Sequence, residues 1–518
     1  MITNLRLKNY KAFSDVNIPI RPLTFLVGAN NTGKSSIINF LSMLRQTAEE
    51  TGMFKSPLKN FGNFVNLGDI DNIWRMKNTD NPLVVEVSIK SDDILYNITQ
   101  LYNNFIFLFH RFISRYEIYE LNTSFRKFED FEQDYSRFIN HLKDNNNKLN
   151  LFKDYISIFT EVNLETEELL NDSSFLATSK FLHELKQLSD NSEFVFKYSF
   201  KYHKKNIETS HFGLFCNDVC IIETKINDDN SKITRSDIIN EKDFFCDEKK
   251  ISSYFNKKNS LFNCYQMSYS TQNRSVLIYF LMRFIGIAFD DLRKSFINGN
   301  INHVSPIRAH PKRYYMLDKT KAKYYIDTFN GDEIVEALKD NKKLVKDVNV
   351  WLEKFNISVN VKRLKEIIHR LVFNSSNLEL SVADVGFGFS QVLPIIIQCF
   401  LSPKESLTMI EQPEIHLHPK LQADLADLFI EIISSFKGRS LIIETHSEYL
   451  LKRLRRRISE RQLLNPDQVS ICLFENTKNL MSKVEVVNIK EKGYFDWPKD
   501  FMDKELLDDI TEFIKNQI

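Results

Sequence analysis

For a chain of 518 residues this one is short of cysteine (six) and of tryptophan (three), and its 69 Lys and Arg against 68 Asp and Glu leave a net charge of only +1. The cysteines are scattered at 216, 220, 246, 264, 399 and 472. Only Cys216 and Cys220 are close, with no second pair or histidine cluster to complete a zinc site, so reduced thiols are expected. Balanced charge neither favours nor excludes nucleic acid, a matter that only a local patch can decide. No apolar run is long enough to span a bilayer: the longest, 276–289, is broken by Arg283 and reads as a buried helix. The opening Met1-Ile2-Thr3-Asn4-Leu5-Arg6-Leu7-Lys8 has no uninterrupted apolar leader and alternates as a strand does, so a cytoplasmic protein is expected. No a/d heptad persists over several repeats in the helical stretch, so a compact lobe is expected there rather than a long coiled coil, and no internal repeat is evident.

What is present begins with Gly28-Ala29-Asn30-Asn31-Thr32-Gly33-Lys34-Ser35, which matches the phosphate-cradling pattern G-x-x-x-x-G-K-[ST] at every fixed position. Leu23–Val27 before it reads as a short buried strand, and Ile37, Ile38, Leu41 and Leu44 after it recur at helical spacing. Strand, loop and helix are the setting the chemistry needs. Glycines let backbone N–H groups wrap phosphates, Lys34 neutralises the β/γ charge, and Ser35 offers a hydroxyl to Mg²⁺ at a helix N-terminus. ATP with Mg²⁺ is the expected ligand, held by Gly28, Asn30, Asn31, Thr32, Gly33, Lys34, Ser35 and Ser36. Tyr10, Lys11 and Phe13 stand where they can stack on adenine or touch phosphate, or equally pack in the core.

The texture of the chain changes twice. Residues 1–90 are strand-rich around the phosphate loop and end in the strand-like Pro82–Ile89, the first half of a nucleotide-binding lobe. Residues 91–300 are rich in Phe, Tyr, Asn and Lys, with helical periodicity over 105–188 and alternation over 194–202, an insertion read as a compact, mainly helical lobe for partner or dimer contacts. Its Phe-rich stripes read as core. From 301 to 518 strands return at 407–410, 441–444, 469–475 and 484–489, alternating with helices as a second α/β half.

That second half completes the site. Leu407-Thr408-Met409-Ile410 delivers Glu411 at a strand tip, followed by Gln412-Pro413-Glu414. Thirty residues on, Leu441-Ile442-Ile443 ends in Glu444-Thr445-His446-Ser447, where the histidine can register a γ-phosphate. Between them Asp384-Val385-Gly386-Phe387-Gly388-Phe389-Ser390-Gln391 forms a second Gly-rich nest at a helix start. One chain cannot easily turn both nests on one nucleotide. The economical reading places the second against ATP bound to another copy, giving an ATP-bridged dimer.

In this order the motifs, with Pro413-Glu414-Ile415-His416-Leu417-His418-Pro419 after the acidic strand, resemble the ABC-type ATPases of the OLD/RecF/SMC-like group, AAA family ATPases. The resemblance covers both ends and not the insertion. It implies an α/β fold, a P-loop ABC-type ATPase head interrupted by the insertion. Gly386, Gly388, Ser390 and Gln391 then stand as the signature, Ser35 and Glu411 as the Mg²⁺-binding pair, His446 as the switch histidine, and Lys34, Glu411, Gln412, Glu414 and His446 as the catalytic set. More narrowly, Ser305–Tyr315 and the tail Gly493–Pro498 are similar to a bacterial subgroup found in Septu-like and retron-associated anti-phage defence operons. That likeness implies a cytoplasmic ATP-dependent sensor or scaffold, a homo-oligomer of ATP-sandwich dimers, regulating a separate effector, a nuclease. The alternative is a DNA-repair or chromosome-maintenance ATPase that binds DNA directly; a nearly inactive ATP-binding scaffold is a third reading.

Two departures qualify the resemblance. Gln412 occupies the usual general-base position and cannot accept a proton at neutral pH, so hydrolysis is expected to be slow unless Glu414 substitutes. After Ser447 too little chain remains for the Toprim nuclease of OLD proteins, and Asp508-Asp509 on a helix would not face together, so no nuclease is expected in this chain. His416 and His418 read as structural or dimer-contact residues. The basic run Lys452-Arg453-Leu454-Arg455-Arg456-Arg457 is either a solvated helix face or a phosphate-binding patch.

Overall fold

The computed structural model describes residues 1–50, 56–116, 128–160, 174–188, 192–227, 231–239, 255–264, 275–317, 331–375, 378–385, 387–460, 464–476, 482–490 and 493–494. Gly386, Asp508, Asp509 and the tail after Tyr494 lie outside them. Contacts divide the chain into two units, one built from Met1–Glu50, Lys59–Thr79 and Lys294–Ile518, the other from Thr51–Leu58 and Asp80–Arg293.

The first unit opens with the antiparallel pair β1 (Ile2–Tyr10) and β2 (Phe13–Pro19), then β3 (Leu23–Gly28) and helix α1 (Lys34–Glu49). The second unit supplies β4 (Leu83–Ile89), α2 (Asp92–Arg115), α3 (Phe128–Lys143), α4 (Asn146–Thr160) and α5 (Ser174–Lys186). It continues with β5 (Phe194–His203), β6 (Asn206–Cys216), β7 (Val219–Lys225), β8 (Lys232–Arg235) and α6 (Val276–Lys294). The chain then returns to the first unit through β9 (Ile301–Val304), β10 (Tyr315–Met316), α7 (Gly331–Lys339), α8 (Lys342–Leu352), β11 (Ser358–Arg363), β12 (Ile368–Ser375) and β13 (Leu378–Ser381). It ends with α9 (Phe387–Leu401), β14 (Leu407–Glu411), α10 (Pro419–Ser435), β15 (Ser440–Thr445), α11 (Glu448–Glu460), β16 (Val469–Asn476) and β17 (Ser482–Val486).

In the first unit β3, β14 and β15 are buried at every position, as strands covered on both faces must be. They lie in a sheet of order β17-β16-β3-β15-β14-β9, parallel throughout except for the β16/β17 pair. Leu23, Phe25, Val27, Ile410 and Ile443 of its strands share one hydrophobic core with Ile395 and Ile396 of α9, Leu425 and Phe429 of α10, and Leu450 and Leu454 of α11. Apolar runs of five or six residues reached by helices are thereby converted into a buried parallel sheet, the mixed α/β class expected. A small antiparallel sheet in the same unit centres on β12, which pairs with β10, β11 and β13. The loops that follow β3, β14 and β15 leave from the carboxyl ends of neighbouring parallel strands, where α/β sheets place their ligands.

In the second unit β4, β5, β6, β7 and β8 pair in that order, each antiparallel to the next. The strand Leu83–Ile89, which its alternation reveals, pairs antiparallel with Phe194–Phe200, a partner that alternation does not name because it fixes the buried face alone. On α2 the rings of Phe105, Phe109 and Phe112 are buried and meet Phe131, Phe138, Phe152 and Phe175 at centroid separations of 4.8–6.0 Å. The phenylalanine stripe is core. The 24-residue α2 is the longest helix among the described residues. The apolar run 276–289 is a helix with a buried face, and among the described residues no helix is long and apolar enough to cross a membrane. Cys216, Cys220, Cys264, Cys399 and Cys472 are buried free thiols.

Candidate nucleotide-binding site

The loop after β3 is shaped by two glycines. Gly28 has φ +148, and a Cβ there would stand 2.2 Å from the carbonyl oxygen of Phe474, its register partner on β16. Gly33 has φ +95, and its Cβ would stand 2.6 Å from the Phe13 ring. Thr32 Oγ1 donates to Ala29 O at 2.9 Å and ties the turn, while Asn30 and Asn31 are exposed at its rim. Helix α1 then starts with no side-chain cap and no acidic residue in its first turn, an N-terminus fitted to take an anion. Lys34 Nζ folds back onto Gly28 O (3.0 Å) and Ala29 O (2.7 Å). Burial lowers its pKa, and the Glu444 and Glu414 carboxylates oppose that shift.

The neighbouring aromatic residues belong to the core. Tyr10 is fully buried, its hydroxyl donates to Ser36 O at 3.0 Å, and its ring meets Phe40 edge-on at 5.0 Å. Phe13 is buried beneath Gly33 and against Phe474. Ser36 N–H donates to Gly33 O at 3.0 Å, closing the first turn. Lys11 is half-buried with φ 45, its own N–H bonded to Ile73 O.

Two acidic strand tips lie beside this loop. Glu411 and Glu444 are direct register partners on β14 and β15, and Gln412 N–H donates to Glu444 O at 2.8 Å. Ser35 Oγ donates to Glu444 at 3.0 Å from each carboxylate oxygen. Burial, with further repulsion from Glu411 and Glu414, pushes the Glu444 carboxyl up to about 7, against the pull of Ser35 and Lys34. Glu411 Oε1 lies 2.6 Å from His303 Nε2, and the carbonyls of Glu411 and Gln412 accept from Arg308 Nη2 at 3.0 and 3.1 Å. Arg308 is buried, with Nε and Nη1 unpartnered among the described residues; desolvation lowers its pKa to about 10 despite Glu414 nearby. Gln412 itself adopts φ 43, a left-handed turn directly off the strand.

Glu414 spans from the loop after β14 to the end of β15. Its carboxylate accepts from Thr445 Oγ1 (2.8 Å) and from His446 N–H (2.6 Å), so both oxygens are engaged. Burial raises its pKa and these bonds counter the rise. His446 is thus fixed through its backbone, while its Nε2 is buried with no partner among the described residues. Burial, then the charge of Lys34, lowers its pKa and favours the neutral ring. Ser447 Oγ accepts from Leu450 N–H to start α11 and donates to Gln422 Oε1 at 2.6 Å.

The second nest lies at the start of α9. A Cβ on Gly388 would stand 3.2 Å from His416 O, so the helix start rests on the loop that follows Glu414. Ser390 and Gln391 are buried, and Gln391 Nε2 finds no partner among the described residues. His416 is exposed with φ 62, and His418 Nδ1 accepts from Lys420 N–H at 3.3 Å to cap α10. Among the described residues no group of three or more His, Cys, Asp and Glu side chains is arranged to hold a metal ion on protein ligands alone.

Residues 1–451 match the model of a family described as AAA ATPase domain. The chain belongs to that family. This AAA ATPase domain is an ATP-binding unit of the ATPase class, and no curated protein matches the chain. It is similar to the solved SMC head domain from Thermotoga maritima, with 8% identity over 94% of this chain and 98% of that one and a TM-score of 0.35. It is also similar to an SmcHead bound to the C-winged helix domain of ScpA, with 10% identity, 95% and 98% coverage and a TM-score of 0.37. A third is the Smc head with an extended coiled coil bound to the C-terminal domain of ScpA from Pyrococcus furiosus, with 9% identity, 99% coverage of each chain and a TM-score of 0.34.

The structure therefore brings Lys34, Ser35, Glu411, Gln412, Glu414 and His446 to adjoining strand ends, while Gly386 of the expected signature lies outside the described residues. Three further side chains lie at these strand ends without having been assigned a role from the motifs: Glu444, His303 and Arg308. Glu444 had a usable signal, an acidic residue following the apolar run Leu441-Ile442-Ile443 much as Glu411 follows Met409-Ile410, and Arg308 lies within the segment Ser305–Tyr315 singled out above.

Proposed function

We propose that this chain binds Mg·ATP between two copies of itself and uses the persistence of that state, rather than rapid turnover, to control a separate effector protein, a nuclease, in bacterial anti-phage defence. Gln412 carries this reading. It stands at the tip of β14 with its N–H tied to Glu444 O, where an ATPase of this order needs a carboxylate to take a proton from water, and an amide cannot. The ligand fits the residues: an uncapped helix start, a loop passable only by glycine, and a serine hydroxyl at the acidic strand tips. Backbone N–H groups from Gly28 to Ser36 would hold the phosphates and Lys34 would exchange its loop carbonyls for them. Ser35 and Glu411 would hold Mg²⁺, which supplies charge neutralisation at the β/γ-phosphates. Glu414 orients His446 by binding its N–H, and the neutral imidazole can then donate to or accept from whatever meets Nε2.

Pairing of copies is supported by Gln391, whose Nε2 is a buried donor with no partner among the described residues at the start of a helix, a situation folded proteins seldom leave unrelieved. A phosphate presented by a second copy would relieve it. Direct DNA binding is disfavoured at the basic run, where Lys452, Arg453, Arg456 and Arg457 already pair with Glu448, Asp427 and Glu460.

Light scattering with and without Mg·ATP tests the reading. The wild type should shift from monomer to dimer, Lys34→Ala should not, and Gln412→Glu should raise turnover about tenfold or more, within the 10²–10⁴-fold scale of general-base catalysis, and shorten the dimer's lifetime. A Gln412→Glu variant with unchanged turnover and unchanged dimer lifetime would sink it. The effector should copurify from the native host, and loss of Lys34 should abolish protection in a phage plating assay.

A further inference from the structure

Ser35, the hydroxyl expected to face the metal, is met not by Glu411 but by the carboxylate at the tip of the next strand. Its Oγ lies 3.0 Å from both oxygens of Glu444, which is 3% exposed. Glu411, its register partner one strand away, is 8% exposed and has Oε1 against His303. Two buried carboxylates therefore end adjacent parallel strands on the same side. The nearby cation, Lys34, spends its hydrogen bonds on Gly28 O and Ala29 O rather than on either of them. Unneutralised buried charge is costly, so this arrangement is suited to a small divalent cation.

We infer that Glu444 is a second carboxylate of the Mg²⁺ site, so that the metal is held through Ser35 from two neighbouring strands and not from β14 alone. The inference rests on the Mg·ATP reading of the site. Mg²⁺ keeps octahedral geometry with one or two carboxylates, several waters and substrate phosphates, and therefore needs no closed cage of protein ligands. Ser35 from α1, Glu444 from β15 and Glu411 from β14 supply the protein share, and the phosphates and water supply the rest. His303 fixes Glu411 at one oxygen, so Glu444 is the carboxylate with the more direct line to the hydroxyl. Because β15 also carries Thr445 and His446, a metal gripped by Glu444 couples directly to the strand end that presents the histidine.

The test uses Mn²⁺ as a paramagnetic probe, with ATP affinity measured separately in EDTA on the full chain. In the wild type ATP should create an Mn²⁺ site visible by electron paramagnetic resonance. Glu444→Gln should retain or raise ATP affinity in EDTA, where it removes a negative charge beside the phosphates, and weaken Mn²⁺ at the ATP-loaded site by about tenfold or more, the scale on which lost metal contacts are felt. Glu444→Asp, which keeps the charge and shortens the reach, should fall between the two and serves if the amide disturbs folding. Mn²⁺ affinity within twofold of wild type in both variants overturns the role of Glu444 while leaving ATP binding intact. Failure of the wild type to bind ATP in either medium overturns the nucleotide reading itself, and the metal site with it.

Discussion

At the scale of single residues the site is governed by buried carboxylates on neighbouring strands. Glu444 has its carboxyl raised from 4.5 to about 7 by burial and by Glu411 and Glu414, with Ser35 and Lys34 pulling the other way. A group whose folded pKa exceeds its unfolded one binds protons more tightly in the fold. Its stabilising contribution is thus complete below about pH 4.5 and fades as pH rises through about 7. The nucleotide-free, metal-free protein should melt at a lower temperature at pH 8 than at pH 6. Glu444→Gln should flatten that slope and raise the melting temperature at pH 8 by roughly 2–4 °C for each kcal/mol of repulsion removed. Scanning calorimetry across that range decides it: an unchanged slope in the variant would mean that the repulsion lies elsewhere. Mg·ATP should have the same direction of effect on the wild type as the amide, because cation and substitution both cancel the charge pair.

At the scale of elements, α10 and α11 show why a charge run must be read with its neighbours. Asp427 on α10 accepts from Arg453 Nη1 at 2.6 Å and from Arg457 Nε and Nη2 at 2.7 and 3.0 Å, and Glu460 takes both Arg456 and Arg457. Arg455 lies over the Tyr494 ring at 5.3 Å. Asp427→Ala leaves two partly buried guanidinium groups without this acceptor and should destabilise the unit by about 1–3 kcal/mol in denaturant titrations. Arg455→Glu with Arg456→Glu should leave any DNA retention and its salt dependence unaltered, since a phosphate-binding face would lose slope with each charge removed. What was legible beforehand follows the same division. The phosphate loop, the tip of β14 and the Thr-His-Ser turn were legible because each is a contiguous pattern with its own chemistry. The bond from Ser35 to Glu444 joins residues 409 apart, and the β4 pairing crosses the insertion. No local pattern encodes which strand becomes a neighbour, so these stayed hidden, and so did the choice between core and ligand for Tyr10 and Phe13.

At the scale of the whole molecule, the unit that carries the phosphate loop is assembled from both ends of the chain, which in sequence flank a second unit of more than two hundred residues, Asp80–Arg293 among them. The phosphate loop comes from one end and every acidic or switch residue from the other, so ATP must report on contacts between distant segments. Amide hydrogen exchange can separate the part of that report internal to one copy from the part that needs two. Mg·ATP should slow exchange at 28–36, 411–412 and 444–447 whatever the protein concentration, because those segments already adjoin in one unit. At 388–391, where α9 begins and Gln391 Nε2 stands unpartnered among the described residues, slowing should appear only at concentrations where the dimer forms, and Lys34→Ala should abolish both effects. Slowing at 388–391 that persists in dilute monomer would place both nests on one nucleotide and dissolve the case for pairing. Slowing at neither segment would deny the loop its ligand. A concentration-dependent signal at α9 alone, set on a concentration-independent one at the strand ends, is the signature of ATP shared between copies.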